Sequence, residues 1–168
     1  MVAHTITLLL FPAIMAFAAS SDILTMKISN RFSLLLAGGF FALALLNGMS
    51  GMEMLMHAFA GVIVLIVSFI CFARGWIGGG DAKLAAATAL WFGFSHLMDY
   101  LLIASLFGGA LTLLLLLLRR FPLPSWLHDQ EWAKRLHDKK SRVPYGVALA
   151  AGALFIYPET IWMKAVSM

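Results

Sequence analysis

Charge is scarce in this chain. Asp, Glu, Lys and Arg make up 12% of its 168 residues and 62% are hydrophobic, whereas an ordinary soluble domain carries about 25% charged residues. That balance leaves no room for a large soluble domain and points to an integral membrane protein. Cysteine is nearly absent too. Cys71 stands alone, so neither an intramolecular disulfide nor a Cys-rich zinc site can be built, and it reads as a small buried apolar residue. No His-Glu-x-x-His helix is present, which argues against a zinc protease, and His128 and His137 are too far apart in sequence for a tight ligand pair. No Gly-x-Ser-x-Gly elbow is present either, and Ser20 and Ser21 lack an evident base. No Lys or Arg precedes the first apolar segment. Ala16-Phe17-Ala18 looks like a cleavage site, but the charged region that opens a secretory signal is missing, so the segment reads as a retained helix. There is no internal repeat, and the Leu run 113–118 reads as lipid-facing helix.

What is present is a series of six apolar segments, at about 3–20, 32–48, 54–73, 82–96, 98–118 and 143–160. A spanning helix needs about 20 residues, within a range of about 17–25. The pattern predicts an all-α polytopic membrane protein with about six transmembrane helices, a single membrane-embedded domain over 1–168. The fourth segment is short and follows a glycine-rich turn, as expected of a helix that starts inside a protein-lined cavity.

The few charges are distributed unevenly. Eleven of the twelve Lys and Arg lie between segments one and two, around the turn between three and four, or between five and six; only Lys164 falls opposite. Basic residues concentrate on the cytoplasmic side of membrane proteins, so those three connections are expected in the cytoplasm and both termini outside. The same distribution argues against nucleic-acid binding, which calls for a basic face. His4, His57, His96, Glu53, Asp99 and Glu159 then fall on or near the outer side. The largest polar stretch, 119–142, is expected to be a cytoplasmic interfacial loop. Phe121-Pro122-Leu123-Pro124 breaks the preceding helix, and Ser125 is expected to cap a short helix holding Trp126, Leu127, Trp132 and Leu136, suited to the headgroup layer. A substrate-docking role is the alternative.

Two aspartates stand out against this background. Asp81 ends the run Gly78-Gly79-Gly80-Asp81, and good helix formers follow it. Three glycines permit positive φ and close backbone approach, and the helix dipole favours an anion at this position. The same pattern also describes a plain helix cap on a flexible turn. Asp22 ends the first apolar segment on the same predicted side; alone it reads as an ordinary loop carboxylate. Brought together, two carboxylates cannot both stay ionised cheaply and come to share a proton. One then serves as general base towards water and the other as general acid towards a carbonyl oxygen and a leaving amine, as in aspartic proteases. Such chemistry needs no metal or cofactor. Lys83 snorkels to the interface or tunes the charge of the site. Asn30 reads as the N-cap of the second helix. Pro144 suits the first turn of the last helix, and Tyr145 suits the interface.

Three segments carry a resemblance. Gly78-Gly79-Gly80-Asp81-Ala82-Lys83-Leu84 resembles the Gly-x-Gly-Asp motif of type IV prepilin peptidases. Asp22 followed by Ile28-Ser29-Asn30-Arg31 resembles that family's first aspartate and its Ile-Pro-Asn-Arg segment, with Ser29 where proline is usual. Arg142-Val143-Pro144-Tyr145-Gly146-Val147-Ala148 resembles the start of its last helix. The resemblance runs from 22 to about 152. It implies a bacterial inner-membrane aspartic endopeptidase that removes the basic leader of prepilins and pseudopilins on the cytoplasmic side, with Asp22 and Asp81 as the catalytic pair. Gly78, Gly79, Gly80, Lys83 and Asn30 become candidate substrate-positioning residues. The paired Cys-x-x-Cys domain of long members has no counterpart here. The chain therefore resembles the short form serving tight-adherence (Flp) pili, for which no methyltransferase activity is expected; pilus assembly machinery is a possible further partner. Two other classes fit the same residues. One is a catalytically idle subunit of a pilus or secretion assembly. The other is a small proton-coupled transporter with Asp81 on a broken helix.

Overall fold

The computed structural model describes residues 2–163, without the side chains of residues 2–5 and 7. The His4 side chain and Lys164, assigned above to the outer side, lie outside the described residues. Every regular element described is helical. In chain order these are α1 (Val2–Thr25), α2 (Asn30–Leu46), α3 (Gly51–Ala73), α4 (Gly79–Leu118), α5 (Glu131–His137) and α6 (Tyr145–Ile156), with 3-10 turns at Ser125–Leu127 and Tyr157–Glu159. Leu8–Thr25, Gly51–Ala73 and Gly79–Leu118 are long and apolar enough to cross a membrane; α2 is apolar but shorter. Three such helices in an all-α chain make this a membrane protein.

The helix ends follow local chemistry. Ser50 and Glu53 form a reciprocal capping box at the start of α3. At its end, Gly75 takes φ 76°, and its N–H donates to Phe72 O at 2.8 Å while Trp76 N–H reaches Cys71 O at 3.0 Å, a Schellman closure. Gly48 closes α2 in the same manner, with φ 71°. Two expected caps differ. Ser29, not Asn30, caps α2, its hydroxyl accepting from Arg31 N–H at 3.3 Å, because the residue in extended backbone just before the helix is the one placed to cap. Pro144 occupies the position before α6 rather than its first turn. The helix expected from Ser125 to Leu136 is two pieces. The 3-10 turn ends at Leu127, and α5 starts afresh at Glu131 behind Gln130, with no side-chain cap.

Segments four and five form one helical run that doubles back on itself. Gly93 takes φ 58° and ψ −169° inside α4, dividing it into limbs 79–92 and 94–118. Phe92 and Tyr100 pack edge to face at 5.2 Å, although eight residues of straight helix would separate them by about 12 Å. Leu97 and Leu101 likewise lie back against Ala85, Ala86 and Ala89. The break falls four residues before the boundary expected from hydropathy. It frees the last carbonyls of the first limb, which an apolar medium cannot satisfy. Side chains take over: the His57 Nδ1 ring nitrogen lies 2.8 Å from Leu90 O, and Trp162 Nε1 donates to Trp91 O at 2.8 Å.

Around this hairpin the core is aromatic. Phe11 from α1, Phe40 from α2, Trp91 and Phe92 from α4, and Tyr157 and Trp162 from the C-terminal segment interlock. Trp91 also donates its indole N–H to Leu36 O at 2.8 Å, so both buried indoles are satisfied. Elsewhere small residues let helices touch. A Cβ on Gly152 of α6 would lie 2.9 Å from the Ala104 backbone of the second α4 limb, and one on Gly61 of α3 would lie 3.2 Å from Ala86 O, the close approach typical of helices packed in lipid.

The Gly93 conformation is essentially reserved for glycine and costs other residues about 1–3 kcal/mol. A Cβ there would also meet the His57 ring at 2.8 Å. Gly93→Ala is therefore expected to lower the melting temperature in detergent by several degrees. Gly38→Ala, where nothing lies within 4 Å of the added Cβ, should match or exceed the wild type. Equal melting of Gly93→Ala and wild type would remove the hairpin turn from this account.

Candidate active site

Asp22 sits in the last turn of α1, 5% exposed. Its Oδ2 accepts from the backbone N–H of Gly146, at the start of α6, at 2.7 Å. An N-terminal helical N–H lacks an intrahelical acceptor, so each group supplies what the other needs. The chain leaves α1 through a tight turn. Met26 takes φ 56°, the one non-glycine positive φ among the described residues, and its N–H donates to Asp22 O at 2.8 Å. Ser21 Oγ donates to Lys27 O at 2.8 Å, and Thr25 Oγ1 donates to Ser21 O at 2.7 Å with Lys27 O 3.2 Å away. These bonds hold a left-handed residue that is costly outside glycine and aim the chain directly at α2.

Asp81 is the third residue of α4. Its carboxylate turns back over the backbone of Gly78, the N-cap residue, the place a carboxylate takes in a capping box. The helix-cap reading of this aspartate and its place in the site thus coexist. The three glycines serve close approach and not positive φ: Gly78 has φ −75°, and the positive-φ glycines are 48, 75 and 93. A Cβ on Gly78 would lie 2.6 Å from Asp81 Oδ2, one on Gly79 would lie 3.2 Å from the Phe72 ring, and one on Gly80 would lie 2.9 Å from Ile28 Cβ. Each therefore makes room for a different neighbour.

Asp22 and Asp81 line one cavity of about 510 Å³, together with Gly78–Gly80, Lys27, Arg135 and Arg142. The two carboxylates act on each other's charge, and Arg142 acts on Asp81. Lys27, Arg135 and Arg142 place three cations on the wall of this cavity, and among the described residues none of them forms an ion pair with either carboxylate. Arg135 and Arg142 come from the loop 119–142, where the sequence marked Arg135 only as part of a basic connection. Arg135 Nη2 donates to Leu24 O at 3.2 Å, tying α5 to the end of α1. Gly146 and Arg142 were within reach of sequence reasoning, since both belong to the Arg142–Ala148 motif. What that motif does not reveal is that its glycine N–H meets Asp22.

Lys83 and Asn30 lie elsewhere. Lys83 Nζ donates to Asn30 Oδ1 at 2.9 Å, and the pair forms the polar end of a separate cleft of about 440 Å³ between α2, α3 and the first limb of α4, walled by Ala37, Gly61 and Ala87. Asp81 and Lys83, two residues apart on a helix, point in different directions, so the cation leaves the carboxylates' cavity for this apolar one. Among the described residues no three His, Cys, Asp or Glu side chains converge as metal ligands would.

With this geometry in hand, comparison with known proteins is informative. Residues 9–113 match the type IV leader peptidase family. That stretch covers more than half of the chain and includes both aspartates, so the chain belongs to this family, whose members are proteases. No curated protein matches the chain, and no solved structure matches it.

A Cβ on Gly146 would lie 2.7 Å from Asp22 Oδ2 and 2.5 Å from Ile28 Cδ1. Gly146→Ala is expected to displace the Asp22 carboxylate. Misplacing a reacting group by about 1 Å can cost about a hundredfold in rate, so leader cleavage should fall by that order while the helical circular dichroism stays unchanged. A wild-type cleavage rate in Gly146→Ala would show that this close contact does not position Asp22 for the reaction.

Proposed function

We propose that this chain is a membrane aspartic endopeptidase that removes the leader of type IV prepilins, of the Flp type, at the cytoplasmic face of the bacterial inner membrane. The observation that carries this reading is the shared cavity. Two carboxylates from helices far apart in sequence line it, and family membership supplies the class of substrate.

One aspartate takes a proton from water as the water attacks the scissile carbonyl. The other gives a proton to the carbonyl oxygen and later assists departure of the amine. The glycine wall of the cavity lets an extended peptide approach the backbone of the α4 start. The basic loop 119–142, with Lys27 in the turn after α1 and Arg31 at the start of α2, favours the cytoplasmic side for this end of the molecule. Six membrane crossings follow if α2, both limbs of α4 and α6 cross alongside α1 and α3. The chain then acts as a single membrane-embedded unit with no methyltransferase function.

Co-expression with a Flp-type prepilin, read by mass spectrometry of leader loss, tests this. Acid–base groups of this kind contribute about 10²–10⁴ in rate, so Asp22→Asn and Asp81→Asn should each leave at most about 1% of wild-type cleavage. Because the pair acts as a unit, the double variant should be little worse than either single one. Cleavage that survives both changes would assign processing to another protease and this chain to pilus assembly.

A further inference from the structure

A second cavity, which shares no lining residue with that of the carboxylates, has the build of a lipid site. It lies under the loop 119–142 and holds about 390 Å³, within the range of about 300–1,000 Å³ typical of small-molecule pockets. Its walls are almost wholly apolar, Leu118, Phe121, Leu123, Trp132 and Leu136 among them, with one cation, Arg119. Arg119 is 7% exposed. Its Nε donates to Leu136 O at 2.8 Å, but its Nη2 is buried with no hydrogen-bond partner. A guanidinium carries five N–H donors, and burying one without an acceptor is costly. An anion that brings its own apolar body would meet both demands.

We propose that this cavity binds an anionic phospholipid, its phosphate on the Arg119 guanidinium and an acyl chain against the apolar wall. Three observations favour a lipid over a soluble anion. Beside Arg119 the lining holds only the His137 ring and the Trp132 indole as polar groups, in a wall otherwise apolar and suited to an acyl chain. Arg119 directly follows the exposed Leu116, Leu117 and Leu118 of α4, where an apolar helix surface gives way to polar chain. Around it the loop 119–142 carries seven Lys and Arg against three Asp and Glu, a surplus that selects anionic over zwitterionic headgroups. The bound lipid would also brace α5 against the end of α4, and α5 is the helix whose Arg135 reaches the carboxylates' cavity.

The test is lipid binding to the full chain, so it stands apart from whether the chain cleaves prepilins. Native mass spectrometry in detergent would titrate phosphatidylglycerol and phosphatidylcholine against wild type, Arg119→Gln, Leu123→Trp and Arg120→Gln. Phosphatidylglycerol should bind wild type more tightly than phosphatidylcholine. A charge-assisted hydrogen bond lost from a buried site costs about tenfold or more in affinity, so Arg119→Gln should weaken phosphatidylglycerol by at least that factor. Leu123→Trp, which fills the cavity and keeps the guanidinium, should do the same with unchanged circular dichroism. The exposed neighbour change Arg120→Gln should stay within about twofold, as a rim charge does. Equal affinity for the two lipids, or wild-type phosphatidylglycerol affinity in both Arg119→Gln and Leu123→Trp, overturns the proposal. Displacement of phosphatidylglycerol by millimolar inorganic phosphate would make this a soluble-anion site and overturn the lipid assignment.

Discussion

One hydrogen bond connects the two ends of this molecule's organisation: Gly146 N–H to Asp22 Oδ2, across 124 residues of chain. It joins the end of α1 to the start of α6, and much else at this end depends on it. Gly146 has to be glycine because the carboxylate and Ile28 occupy the space of a side chain. Ile28 in turn presses on Gly80, one residue before Asp81. The α1 terminus, the 26–30 turn and the α4 terminus are thus packed in series, which fixes the separation of the carboxylates without any direct bond between them. Arg135 and Arg142 line the cavity from the loop side, and Arg142 acts on the Asp81 charge.

The opposite requirement governs the far end of the α4 hairpin. There the chain must reverse inside apolar surroundings, and the problem is unsatisfied backbone, not excess charge. His57 and Trp162 resolve it by meeting the carbonyls exposed at Gly93. The same indole belongs to the aromatic core, so the reversal is locked by packing as well as by hydrogen bonds. A polar end organised around carboxylates and an apolar end organised around aromatic rings divide the work of the fold between them.

Much of this was legible in the residues. The apolar segments mark where helices lie, because burial in an apolar medium leaves a strong composition signal, and the Gly-Gly-Gly-Asp run and Asp22 flagged the residues that line the cavity. Other features depend on tertiary context. Hydropathy cannot distinguish Gly93 from its apolar neighbours as the point of reversal, since only the His57 ring above it and the partners for the freed carbonyls decide the matter. Ser29 and Asn30 are both good caps, and the choice follows from which one is left in extended backbone; Asn30 is then free to meet Lys83. The three glycines allowed for positive φ and for close approach, and only the second is used. The loop 119–142 was opaque because Arg119 and Arg135 take their meaning from Leu136 O and Leu24 O, carbonyls that no sequence pattern marks.

The Asp22–Gly146 bond also has a consequence for biosynthesis. The chain emerges from the ribosome amino end first, so both carboxylates are made long before the donor that satisfies one of them and the arginines that face the cavity. A nascent chain that has reached only the end of α4 holds every residue of the Gly-x-Gly-Asp motif but not the assembled cavity. A chain that ended before α6 would carry both aspartates without the N–H from which Asp22 accepts.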